Sequence, residues 1–176
     1  MNDFARLVEA EIPRLRRYAR ALHRGEVTAA DDLVQDTLAR AVAKQHLWEP
    51  GTNLRAWLLT IMHNQHVNFV RRSVREGVVV DIDDFQNEIA SPSDPTVSLL
   101  LRDLNRALAK LRVEQREAIL VIGLEGMSYE EAADLLRIPI GTVRSRVSRG
   151  RDQLRHIMGM NTTGAIATAL PSAMAA

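Results

Sequence analysis

The chain has 176 residues, 46% hydrophobic and 26% charged, a composition that fits one ordinary globular domain or two small ones and excludes a disordered chain. There is no cysteine, which rules out disulfides, thiolate zinc sites and thiol redox sensing. The net charge of +1 hides a partition: Lys/Arg against Asp/Glu run 12 to 8 over residues 1–75, 0 to 6 over 76–98 and 11 to 8 over 99–176. Helical periodicity then dominates, starting with a first predicted helix from Phe4 to His23 that stops near Gly25. Thr28 opens TAADDLVQDTLARAVA, with Asp31 in capping-box register, and Leu33, Val34, Leu38, Ala41 and Val42 recur at core-facing spacing. The stretch LWEPGTN reads as a turn broken at Pro50-Gly51, with Asn53 the cap of the next helix. That helix, LRAWLLTIMHNQHVNFVRR, places Leu54, Trp57, Leu58 and Ile61 on one face, with Trp57 read as core.

Residues 76–98 lack a sustained period and any positive charge, so a flexible acidic linker is expected there. A second helical block starts near Val97 with LLLRDLNRALAKL. A further helix in QREAILVIGLEG stops around Gly123–Gly126. Ser128 and Glu131 form a capping box ahead of EAADLL, and Pro139 and Gly141 break the chain before a basic helix. The uncharged tail 159–176 is expected to be disordered. The reading is all-α: two small helical domains, 1–75 and 99–158, joined by the linker.

The basic helix, IGTVRSRVSRGRDQLR, carries five arginines and one acid. Two short helices with a tight break, the second strongly basic, have the shape of a helix-turn-helix. Projected at about 100° per residue, Val143, Val147 and Leu154 face inward toward Ala132, Ala133 and Leu136. Ser145, Ser148 and Asp152 lie opposite, Arg144, Arg151 and Arg155 line one flank, and Arg146 and Arg149 line the other. Small residues let such a helix approach base edges, and arginines reach phosphates or fork onto guanine. A solvated amphipathic helix would normally mix the two signs. Gly150 inside this helix implies close approach of a neighbouring backbone.

Together, DDLVQDTLARA, NLRAWLLTIMHNQHVNFVRR, QREAILVIGLEGMSYEEAADLL and IGTVRSRVSRGRDQLR resemble the extracytoplasmic-function (group 4) sigma factors of bacterial RNA polymerase, over residues 5–157. The resemblance implies a region 2 bundle that binds the polymerase β′ clamp and opens the −10 element. It also implies a region 4 helix-turn-helix that reads the −35 element and touches the β flap. On that basis Asp32, Gln35, Asp36 and Arg40 would meet polymerase, although by themselves they fit a solvated face. Asn64 would hold a flipped −10 base, or else serve as a helix-bonding amide. The loop Glu49, Pro50, Gly51, Thr52 and Asn53 would surround that base, and Arg71, Arg72 and Arg75 would grip phosphates. Arg144, Ser145, Arg146, Ser148 and Arg149 fall on −35-reading positions, with Arg151 on phosphate. Ser148, Gly150 and Asn68 depart from the family's usual aromatic, alanine and aspartate.

His63 and His66, three apart, have no third ligand nearby and read as solvated or DNA-facing rather than metal-binding. There is no phosphate-cradling loop and no nucleophile with a base, so neither catalysis nor a cofactor or metal is expected. The implied partners are core RNA polymerase, promoter DNA and an anti-sigma factor. The chain is expected to be cytoplasmic, without membrane insertion, and monomeric when free. A stand-alone helix-turn-helix regulator would give no reason for DDLVQD or the Asn64 segment. A sigma-like decoy that sequesters an anti-sigma factor would have no need of Arg144, Arg146 and Arg149.

Overall fold

A computed structural model describes residues 3–76 and 95–160. The expected linker and tail fall largely outside them. Among the described residues every regular element is a helix, and no helix is long and apolar enough to cross a membrane.

Helix α1 (Asp3–Leu22) buries Phe4, Val8, Leu15, Tyr18, Ala19 and Leu22, a stripe at helical spacing. It ends where Arg24 and Gly25 take positive φ of 59° and 85°, with the Gly25 N–H returning to the Arg20 carbonyl at 2.8 Å. Helix α2 (Val27–Ala43) starts one residue before the expected cap. Glu26 is its N-cap without a side-chain bond, so Thr28 sits inside the first turn and the Thr28–Asp31 box does not form. Ala30, Leu33, Val34, Thr37 and Ala41 face inward. Val42, expected in the core, is 59% exposed, because it projects about 120° from the centre of that stripe.

Helix α3 (Leu54–Glu76) is capped as expected, the Asn53 Oδ1 accepting the Ala56 N–H at 3.1 Å. Trp57 and Trp48 stand around Phe4 with ring centroids 6.2 and 5.5 Å away, so Trp57 packs against the edge of the core rather than inside it. The buried stripe of α3 is Leu58, Leu59, Met62, His63 and His66. Leu54, Trp57 and Ile61 are only half-buried, since α3 is covered by α1 and α2 on one side and by the second helical group on another.

That second group is α4 (Pro95–Ala109), α5 (Val113–Ile119), α6 (Tyr129–Leu136) and α7 (Ile140–Ile157). Helix α4 begins two residues before Val97. Helix α5 runs on into a wider π-turn at Leu120–Leu124, and the chain then breaks at Gly126, φ 69°. The two groups pack against each other: one continuous cluster of buried side chains runs from Phe4 to Val147. Tyr18 of α1 lies fully inside it, its hydroxyl pKa raised by burial and then by the carboxylates of Glu117 and Glu125 from the second group.

Candidate nucleic-acid interface

The turn between α6 and α7 is built from local chemistry. The Ser128 Oγ accepts the Glu131 N–H at 3.1 Å while the Glu131 carboxylate accepts the Ser128 N–H at 2.8 Å, closing the expected capping box. Helix α6 stops at Arg137 in the left-handed region, φ 53°, and the Ile138 N–H reaches back to the Ala133 carbonyl at 3.2 Å. Pro139 follows in extended backbone, and its carbonyl accepts the N–H groups of Thr142 and Val143 at 2.8 and 3.1 Å. The second helix therefore leaves at a defined angle, with Val143 and Val147 buried and Leu154 half-buried.

The opposite face is open. Arg144, Ser148, Arg149, Arg151 and Asp152 are exposed, and Arg146 and Arg155 are half-buried. Arg144 lies over the Tyr129 ring, 5.8 Å from its centroid, an attraction that pre-orients the guanidinium. Asp152 holds Arg155 at 2.6 Å. Tyr129, Arg144, Ser148 and Arg151 border a shallow depression of about 170 Å³. Ser145 is half-buried, and its hydroxyl donates to the Thr142 carbonyl at 3.0 Å, so it contributes less open surface than the projection gave it. Gly150 is closely approached, though by side chains rather than by the backbone that its presence implied: a Cβ there would stand 2.6 Å from the Ile119 Cδ1 and 3.4 Å from the Gln115 Cβ of α5.

In the first group, Asp32, Gln35, Asp36 and Arg40 are all exposed along one side of α2, away from its buried stripe. The loop from Glu49 to Asn53 is exposed throughout. Thr52 ties it by donating its hydroxyl to the Glu49 carbonyl at 2.7 Å, and Gly51 turns it at φ 90°. Asn64 is half-buried and its amide nitrogen donates to the Thr60 carbonyl at 2.8 Å, the helix-bonding arrangement that its spacing allowed. Arg71, Arg72 and Arg75 are exposed near the end of α3.

The histidines are neither solvated nor DNA-facing, which corrects the reading from spacing. His63 and His66 are 8% and 4% exposed, and the His63 Nδ1 lies 2.6 Å from the Glu117 Oε1 of α5. Burial, with help from His23 and then Arg116, pushes the His66 imidazole down to about 3. His23, whose ring centroid is 5.1 Å from that of His66, is lowered to about 4 by burial and then by Arg116. Among the described residues no group of three potential ligands could hold a metal ion.

Residues 8–63 match the family model for the Sigma2 domain of PhyR, and residues 101–154 match the model for Sigma-70, region 4. The chain is 40% identical over 150 residues to the ECF RNA polymerase sigma factor EcfG of Rhodopseudomonas palustris, covering 85% of this chain and 81% of that one. The chain belongs to the ECF RNA polymerase sigma factors. It is also 31% identical to the RNA polymerase sigma factor CarQ of Myxococcus xanthus, over 90% of each chain. Among solved structures it is similar to the sigma factor RpoE of Bartonella quintana in complex with the anti-sigma factor NepR. The TM-score there is 0.76 and the identity 38%, covering 92% of this chain and 99% of that one.

For this sigma factor, the residues that sequence reasoning passed over are Arg116 and Glu117. Both are buried, at 1% and 5% exposure. They occupy the same helical stripe as Val113, Leu120, Val121 and Leu124, and two adjacent charges on an otherwise apolar stripe were the signal available to find them.

Proposed function

We propose that this sigma factor brings core RNA polymerase to a particular class of promoters and is held in check by an anti-sigma factor. In this reading residues 1–75 and 99–158 are the two working domains. The exposed side of α2, Asp32, Gln35, Asp36 and Arg40, docks on the polymerase β′ clamp. The loop from Glu49 to Asn53 and the oxygen of Asn64, whose nitrogen is committed to Thr60, face an extruded −10 base, while Arg71, Arg72 and Arg75 hold phosphates. Helix α7 enters the major groove at −35. Arg149 and Arg144 make base or near-base contacts and Arg151 binds phosphate, while Arg146, Ser145 and Ser148 border them. Bond formation belongs to the polymerase, and the work of the chain is placement in the cytoplasm, where the template is.

The observation that carries the reading is the pairing, on one chain, of an open arginine face on α7 with an open, mostly acidic and polar face on α2. The first suits a polyanion and the second a different macromolecule. Control by an anti-sigma factor is supported by the likeness to the RpoE that was solved with NepR. The test is transcription in vitro with core polymerase and a genomic template library. Starts that require this protein and are lost with Arg149→Ala are expected. If core polymerase never associates with the chain, directly or after an inhibitor is removed, the reading is wrong.

A further inference from the structure

Between the two helical groups lies a seam that a purely apolar contact would not need. Arg116 spends its donors on helix ends. Its Nε donates to the Leu108 carbonyl at 2.9 Å, and its Nη2 to the Ala109 and Leu111 carbonyls at 3.2 and 2.9 Å. These are carbonyls at or just past the C-terminus of α4, where a helix leaves its last acceptors to find donors outside it; the Leu108 carbonyl also accepts the Leu111 N–H at 3.1 Å. The remaining Nη1 crosses the seam to the Leu22 carbonyl at 2.9 Å, the last residue of α1. One cation thereby closes the negative ends of two helices, one from each group. The next residue, Glu117, crosses the seam again to His63 on α3 at 2.6 Å. Around them Tyr18, Met62, Leu111 and Val121 are buried almost completely.

This closed arrangement conflicts with simultaneous use of both DNA-facing surfaces. Elements named for positions −10 and −35 are separated by roughly 25 base pairs, about 85 Å of duplex at ~3.4 Å each. A compact body of this chain length is only ~40 Å across. The two groups must therefore part before both can sit on one promoter, a step that rests on the function proposed above.

We propose that Arg116 and Glu117 form a polar clasp that holds the two helical groups in a closed off-state, and that parting at this seam is the event that makes the chain competent for promoters. Buried charge suits such a device because it is asymmetric in its response. While each group has its partner the closed form is satisfied, whereas one missing partner leaves a charge stranded in a desolvated seam and drives it to water. An apolar seam would weaken only gradually with each deletion.

The test uses His63, because Arg116 also holds the α4–α5 turn within its own group and its loss would confuse opening with unfolding. The chain has no cysteine of its own, so Glu9→Cys and His156→Cys, both on exposed positions, can carry spin labels on the two groups of the full chain. His63→Leu at pH 8 strands the Glu117 carboxylate. It is expected to raise the open-to-closed ratio about 100-fold or more, with helix content by circular dichroism unchanged, and to raise promoter-complex formation with core polymerase in parallel. The double variant His63→Leu/Glu117→Leu replaces the pair with apolar side chains and is expected to restore the short distance and return promoter binding toward the parental level. Label distances in His63→Leu identical to the parent would overturn the clasp. So would a double variant as open as the single one. Opening without a gain in promoter complexes would overturn the off-state. Absence of polymerase-dependent starts from parent and variants alike would instead overturn the proposed function, with the distances still deciding the clasp. If His63→Leu loses helix content, Glu117→Leu, which takes the partner across the seam from the buried His63 ring, provides the same comparison, and unchanged distances there overturn the clasp equally.

Discussion

Arginine is put to opposite uses in two regions of this molecule. On α7, Arg144, Arg149 and Arg151 stand in water, where each costs little in the folded state and adds to a positive surface. At the seam, Arg116 is 1% exposed and donates to four backbone carbonyls, and burial followed by Arg24 pushes its guanidinium down to about 10. A guanidinium has five fixed donors, enough to replace its hydration shell with carbonyls where several helix ends converge. A charge can thus be interior when geometry supplies its partners and exterior when a polyanion is to supply them later. Losing a seam arginine should therefore be felt in stability, and losing an α7 arginine in DNA binding.

The largest effect expected is that of Arg116→Ala. The Leu108 carbonyl keeps the Leu111 N–H, but those of Leu22, Ala109 and Leu111 lose the guanidinium, and at about 1–3 kcal/mol for each buried unsatisfied group the loss should be several kcal/mol by thermal or urea unfolding. Arg149→Ala, from the other region, should leave the unfolding midpoint unchanged. Equal destabilisation by the two would break the comparison.

Acid should also find the seam and spare α7. His66 and His23 are held at about 3 and about 4, below their ordinary value of 6.5, with Arg116 facing both and His63 adding to the effect at His66. The unfolded chain therefore binds more protons than the folded chain once pH falls below about 6.5. Stability should be level above that value and decline as pH falls through 5 toward 4 and 3. Unfolding midpoints across pH 4–8 check this. Replacement of His66 by a non-titrating apolar residue such as leucine should flatten the decline, and a slope that survives in both His66→Leu and His23→Leu would assign it elsewhere.

On the DNA side, Arg149→Ala should cost about 1–3 kcal/mol of discrimination at the base pair it reads, measured as affinity for a set of single-substitution −35 duplexes. Arg151→Ala should weaken binding to all of them alike and reduce the salt slope by about 1. If the two variants behave identically, base reading and phosphate contact have been assigned to the wrong residues.

Most of the helix-turn-helix was legible because its determinants are local. Ser128, Glu131, Pro139 and the Val143/Val147 spacing each act within a few residues, and the structure agrees with them. The Thr28 cap failed because a competing start one residue earlier satisfied the same turn without a side chain. Val42 failed because apolar character was read without its angle. The burial of the histidines and the partners of the Arg116–Glu117 pair were illegible for a deeper reason. Those partners lie 54 residues away for His63 and 94 for Arg116, and no local pattern tells which helix ends will converge. The amide of Asn64 was open between two roles, and the structure shows its nitrogen donating to the Thr60 carbonyl.

The smallest effect, at a position between the two regions, concerns Gly150. Alanine there would gain about 1 kcal/mol of helix propensity, which alone would make the glycine a flaw. Against this stands the Ile119 Cδ1, 2.6 Å from the position of the new Cβ, a contact that must relax. The obstructing atom is the far end of a side chain, so Ile119 can turn aside at the cost of an altered rotamer, about 0.5–1.5 kcal/mol. The two terms nearly cancel, and Gly150→Ala should change stability by less than about 1 kcal/mol in either direction. Gly150→Leu cannot be accommodated that way, because the added atoms extend toward α5 where the Gln115 Cβ already stands at 3.4 Å. It should cost about 1–3 kcal/mol and, by tilting α7 away from α5, weaken −35 binding although no groove-facing residue has changed. A neutral Gly150→Leu would mean that α7 is held by α6 alone, and that the helix presenting the arginines is independent of the helix carrying the clasp.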